Sequence, residues 1–313
     1  MQEVLHRIAR RLGGLLPALC LALLLPGVAG AAALPVRSAI LVNLGTGRVL
    51  YEKNADAPIP PASLTKVMTM YLALDAVKAH RLRLDTRVPV RAAAAGVGGS
   101  SMHLNAGDTV PLVRLLAGMA VVSGNDAAMA VAMRVGGDTR AFVRQMNGRA
   151  KRLGLTHTTF KNPTGLPAAG QKTSARDMMR LCQAYLKAHP QAMRFHGMRY
   201  FLHRGVPMRN TNALLGTMNG VTGLKTGWTV ASGYNLVVTA KRGKTQLLAV
   251  VLGAGSREQR DSAARQLLEA GFKGPADPKK VQASLASPRR GHTVAARQAK
   301  SRPAARGTLT SAR

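Results

Sequence analysis

Pro60-Pro61-Ala62-Ser63-Leu64-Thr65-Lys66 runs directly into Val67-Met68-Thr69-Met70-Tyr71-Leu72-Ala73-Leu74. Proline fixes the backbone and is tolerated at helix starts, so the pair predicts a helix opening near Ser63. The run that follows is mostly apolar, which predicts a buried helix over residues 63–80. Residues three apart share a helix face, so Ser63 and Lys66 project side by side at its N-terminus. A serine hydroxyl is a weak nucleophile that needs a base beside it. Lysine is ordinarily protonated, but burial, a nearby cation and the positive end of the helix dipole all favour the neutral amine. A helix N-cap is the plain structural role for Ser63.

Two further triplets lie outward from this point. Ser123-Gly124-Asn125 follows the apolar run Leu115–Val122, and Lys225-Thr226-Gly227 precedes a strand-like segment. No other serine has Lys three residues on or Asn two residues on, and Lys-Thr-Gly is not repeated.

The remaining chain divides by pattern. Ser38–Val42 and Arg48–Tyr51 flank a Gly45-Thr46-Gly47 turn, a hairpin signal; Tyr234–Ala240 and Thr245–Leu252 form a second one. Helical periodicity marks residues 111–122, 125–135, 139–154, 174–188 and 257–270, with Gly271 as a stop. Residues 92–110 and 162–173 read as loops. Strands from both chain ends with helices between them predict a mixed α+β fold, an antiparallel sheet with helices packed on its faces.

The order Ser-x-x-Lys, Ser-x-Asn, Lys-Thr-Gly resembles the motif set of penicillin-binding proteins and class A β-lactamases. Further segments are similar to the serine D-alanyl-D-alanine carboxypeptidases, the low-molecular-mass penicillin-binding proteins. They are Gly47–Ala55, Pro61–Lys66, Ser123–Ala128, Asn162–Pro167, Thr173–Asp177 and Gly223–Thr229. The resemblance spans about residues 36–272. It implies a β-lactamase/transpeptidase-like fold and a peptidase that removes the terminal D-alanine of peptidoglycan stem peptides through an acyl-enzyme, with β-lactams as covalent inhibitors. In that reading Ser63 is the nucleophile and Lys66 its base. Ser123 shuttles a proton, and Asn125 holds the substrate amide and orients Lys66. Lys225 and Thr226 recognise a terminal carboxylate, and Gly227 lets substrate backbone lie close. The resemblance further implies an oxyanion hole from the backbone N–H groups of Ser63 and Trp228, and places Arg209 near the carboxylate pocket. The Trp228 side chain either packs on substrate or fills the core. Class A β-lactamases deacylate through a glutamate, and no Glu lies between Glu52 and Glu258, so a penicilloyl-enzyme is expected to hydrolyse slowly. A DD-endopeptidase using the same residues, and a non-catalytic wall-binding protein, are the alternatives.

Arg7, Arg10 and Arg11 precede an apolar stretch from Leu15 to Leu25 and small residues at 29–33, the pattern of a cleaved export signal. Residues 1–33 are therefore expected to be removed, leaving the protein in the periplasm or cell envelope. Only Cys182 then remains, and one thiol allows no internal disulfide. Neither Cys nor His shows metal-ligand spacing, and no cofactor is expected. The charge of +32 is spread out: residues 34–272 carry 32 Lys and Arg against 11 Asp and Glu, and residues 273–313 carry 10 against one. Aromatics are 4%, too few for a nucleic-acid stacking platform. Weak contact with anionic wall polymers or a membrane surface is the reading that suits an exported basic protein. The expected catalytic domain is 34–273, and residues 274–313, poor in large apolar side chains, are expected to be a disordered tail.

Overall fold

The structure is a computed structural model that describes residues 34–286; the expected export signal and most of the basic tail lie outside the described residues. In chain order the strands are β1 Ser38–Asn43, β2 Val49–Lys53, β3 Arg87–Pro89, β4 Thr109–Pro111, β5 Tyr200–His203, β6 Val206–Arg209, β7 Val221–Thr229, β8 Gly233–Arg242 and β9 Thr245–Ala254. The longer helices are α1 Lys66–Lys78, α2 Leu112–Val121, α3 Asn125–Gly136, α4 Thr139–Arg152, α5 Ala175–Ala188, α6 Arg257–Lys273 and α7 Pro278–Ala286. The main sheet is antiparallel, in the order β2-β1-β9-β8-β7. Strands from both chain ends meet where β1 pairs with β9, Ile40 opposite Val250. This is the mixed architecture expected from the sequence.

Both faces of the sheet are covered, which is why β9 reads as a continuous apolar run rather than an alternation. Successive side chains alternate between two cores. Ile40, Val42, Leu248 and Val250 join the core of α1, α2, α3 and α5. Leu41, Leu247, Ala249 and Val251 pack on Leu267, Leu268 and Val281 from the other side. Helix α1 lies within the first core, buried at every position from Lys66 to Leu74. A helix apolar all round belongs in such an interior.

Three expectations change. Gly271 does not stop α6, which continues to Lys273. A Cβ there would lie 2.8 Å from both Leu41 Cδ2 and Leu247 Cδ1, so the glycine serves close helix–sheet packing. The boundary at residue 273 also moves. Helix α7 packs on α6 and β2, Val281 is fully buried, and Asn43 Nδ2 donates to Pro275 O at 2.8 Å. Val281, with Leu285 packed partly buried against the same core, docks a segment whose composition reads as tail. Finally, the expected loop over residues 92–110 contains a short helix, Ala92–Ala95, and ends in β4, which pairs with β3.

Candidate active site

Ser63 sits in a 3-10 turn, Ala62–Thr65, that runs into α1, whose first residue is Lys66. The turn is held from two sides. The edge strand β7 packs on it so closely that a Cβ on Gly227 would lie 3.1 Å from Ser63 N. Gly165, at φ +87°, packs beneath it, where a Cβ would fall 1.8 Å from the carbonyl oxygen of Ala62. Ala62 itself holds a left-handed φ of +48°, a conformation costly for a residue with a side chain. Gly165→Ala is therefore expected to cost more than about 1 kcal/mol from backbone conformation alone, plus the collision with Ala62. Gly154, at φ +66° with open space around it, is the control. Thermal unfolding and acylation rate should both suffer far more in Gly165→Ala than in Gly154→Ala.

Lys66 Nζ is fully buried among three oxygens: Ser63 Oγ at 2.9 Å, Asn125 Oδ1 at 2.6 Å and the Thr164 carbonyl at 2.7 Å. The last two only accept, so they take two amine protons. A neutral amine then has its lone pair left for the Ser63 hydroxyl. Burial holds the Lys66 pKa well below the ordinary lysine value, and the charge of Lys225 adds to this, against an opposing pull from Asp126. Lys225 is itself lowered to about 7, first by burial and then by Arg260. The cations thus form a ladder in which Arg260 depresses Lys225 and Lys225 depresses Lys66.

Asn125 begins α3. Its Nδ2 donates to Gly98 O at 2.6 Å while Oδ1 accepts from Lys66, so its amide is oriented from both ends. Beside it, Asp126 accepts from the Met102 and Leu104 backbone N–H groups at 3.0 Å and from Ser101 Oγ at 2.6 Å, pinning the 98–104 loop over the site. Ser123 stands at φ +65°. Its Oγ is buried without a hydrogen-bond partner among the described residues, and the residue lines the cleft.

That cleft has a volume of about 280 Å³. Ser63, Ser123, Thr226, Gly227 and Trp228 from the three motifs line it, joined by Thr211, Tyr234, Arg257 and Arg260. Among the described residues no carboxylate lines it. Asp138 caps α4, and Asp177 accepts from His157 N and Thr158 Oγ1. Lys225 lies behind the cleft wall, 1% exposed, with Nζ donating to Thr226 O at 2.9 Å. Thr226 Oγ1 donates to Thr211 Oγ1 at 2.7 Å. Trp228 does not fill the core; it is 53% exposed, its ring 5.7 Å from that of Tyr234.

Arg209 is not brought to this place. It is exposed on β6 opposite Tyr200 and does not line the cleft. The guanidinium groups here are Arg257 and Arg260, in the first turn and just beyond it in α6, whose N-cap is Ser256. No short-range signal marks them: Glu258 shares their turn, and Asp261 accepts from Arg260 Nε at 2.8 Å, so the local sequence already balances their charge.

The sequence and the fold have counterparts among known proteins. The family model described as D-alanyl-D-alanine carboxypeptidase matches residues 28–256. The chain belongs to this family. Among its carboxypeptidase relatives, Escherichia coli DacC is 42% identical over 244 residues, covering 76% of this chain and 61% of the relative. Bacillus subtilis DacF is 37% identical over 241 residues, 75% of this chain and 62% of the relative. The chain therefore spans about three fifths of the length of these carboxypeptidases. Penicillin-binding protein D2 from Listeria monocytogenes, in its ampicillin-bound form, superposes with a TM-score of 0.70 at 32% identity, covering 76% of this chain and 98% of that one.

Proposed function

We propose that the protein is a serine-type D-alanyl-D-alanine carboxypeptidase acting on peptidoglycan stem peptides. The observation that carries this is the buried amine of Lys66, saturated by two acceptors and 2.9 Å from Ser63 Oγ. In the first step Lys66 Nζ takes the Ser63 hydroxyl proton as Oγ attacks the carbonyl carbon of the penultimate D-alanine. The oxyanion is received by the backbone N–H groups of Ser63 and Trp228. The peptide C–N bond then breaks, and the proton passes from Lys66 through the Ser123 hydroxyl to the departing amine. Water, deprotonated by the same Lys66, releases the acyl group. With no carboxylate at the cleft among the described residues to activate water on a penicilloyl ester, β-lactams remain attached and inhibit.

The terminal carboxylate of the substrate lies against Thr226, Thr211 and Arg260, at the N-terminus of α6. Lys225 contributes charge from beneath rather than a direct contact. Charge-assisted hydrogen bonds of this kind contribute about 1.5–3 kcal/mol, so Arg260→Gln should weaken kcat/KM for a free-acid peptide about tenfold or more. The matching C-terminal amide, which lacks the charge, should lose much less. Equal losses on both substrates would remove Arg260 from carboxylate recognition.

The experiment for the whole reading is incubation with a purified pentapeptide, and separately with cross-linked muropeptide dimers. Release of free D-alanine from the pentapeptide supports the carboxypeptidase; cleavage of the dimers alone would make the enzyme an endopeptidase. Export to the cell envelope is part of this proposal and rests on the N-terminal segment, residues 1–33. Among the described residues no helix is long and apolar enough to cross a membrane.

A further inference from the structure

A second cleft, of about 480 Å³, opens between α1 and α4, away from the peptidase site. Its lining carries four arginines, Arg81, Arg144, Arg149 and Arg152, against one acid, Asp75. That acid is already committed: Asp75 Oδ2 accepts from Arg149 and Oδ1 meets His189 Nε2 at 2.8 Å. The same Arg149 lies over the Tyr71 ring, 4.7 Å from its centroid. Arg149 is thus held in place with its charge met by Asp75, which leaves the uncompensated charge of the cleft on Arg81, Arg144 and Arg152. Arg81, Arg144 and Arg152 form no ion pair among the described residues.

Gly148 supplies an independent observation. It lies inside α4, where glycine costs about 0.5–1 kcal/mol relative to alanine. Nothing in the packing requires it: a Cβ there would meet only Arg152 Nη1, at an ordinary 3.7 Å. Its effect is to leave the space between Arg144 and Arg152, four residues away on either side, open as part of the cleft lining. We propose that this cleft binds a phosphate-bearing anion, carried either by a soluble compound or by a lipid headgroup. A multiply charged phosphate suits it better than a single carboxylate, because four arginines line the cleft and only one of them is internally neutralised. Asp75 is nine residues along α1 from Lys66, about 14 Å by helical rise, so occupancy leaves the peptidase cleft free.

Isothermal titration of the full chain with inorganic pyrophosphate tests this. Arg144→Gln/Arg152→Gln should weaken binding about tenfold or more. Gly148→Leu, which fills the cleft and removes no charge, should weaken it as well. Arg140→Gln/Lys151→Gln removes the same charge from exposed positions of α4 outside the cleft lining and should change affinity less than about twofold. Penicillin labelling should be unchanged in all three. Equal weakening by the two charge variants, or no saturable binding by the wild type, would reduce the cleft to part of a diffuse basic surface and overturn the proposal. Co-sedimentation with vesicles of phosphatidylcholine and phosphatidic acid in equal parts separates the sources. Loss of vesicle binding in the cleft variants assigns a headgroup. Unchanged vesicle binding alongside weakened pyrophosphate binding assigns a soluble phosphate compound.

Discussion

Ser63→Ala is expected to abolish covalent labelling by a fluorescent penicillin and to lower peptide hydrolysis more than about a thousandfold. Among the hydroxyls of the described cleft, Ser63 is the one held against the Lys66 amine. Ser123 lines the cleft too, but the Lys66 amine is hydrogen-bonded to the Ser63 hydroxyl and not to that of Ser123, and the shuttle role asks for Ser123 only once Ser63 is acylated. The variant should remain folded, since the turn is held by Gly165 and Gly227 packing on backbone atoms rather than by the Ser63 side chain. Gel fluorescence after incubation with the labelled penicillin, together with thermal unfolding, checks both halves. Stoichiometric labelling of the alanine variant would move the nucleophile elsewhere.

Lys66→Met should separate activity from stability. Loss of a general base lowers rates about 10²–10⁴-fold, so acylation should fall by that factor. Stability should change far less than activity: an amine with no ion-pair partner is exchanged for an apolar chain in a fully buried position, which offsets the donor lost by Asn125 Oδ1 and the Thr164 carbonyl. Lys66→Arg should be equally inactive, since a guanidinium does not give up its proton. In the wild type the sign of the pH dependence follows from the depressed amine. Acylation is slow where Lys66 is protonated, rises with pH as the proton leaves, and reaches its plateau well below pH 10.5, the ordinary lysine value. Stopped-flow acylation across pH measures it. A rate that climbs only near the ordinary lysine pKa would mean that burial does not tune this amine.

What sequence could read here was what repeats at short range. Ser63 and Lys66 were legible because three residues bring them onto one helix face. The sheet was legible because β8 and β9 are long, apolar and joined by a tight turn. Asn125 was legible through its triplet, but its partner at Gly98 was not, since a carbonyl carries no sequence signature. Arg209 and Arg260 show the same limit. One guanidinium near one motif looks much like another until the sheet brings the start of α6 beside β7. Helix α7 escaped for an energetic reason. Its docking rests on Val281 and Leu285, too little apolar content to stand out in a composition average.

The burial of α1 bears on the order in which this molecule comes apart. Every backbone amide from Val67 to Leu74 belongs to a helix closed off on all sides, so deuterium reaches these positions chiefly through global opening, whereas exposed hairpins such as β5–β6 exchange through local fluctuations. The nucleophile is therefore mounted at one end of the segment last to open. Peripheral fraying leaves the Ser63–Lys66 spacing intact, and in denaturant the capacity to be acylated should disappear together with the slowest-exchanging amides rather than ahead of them.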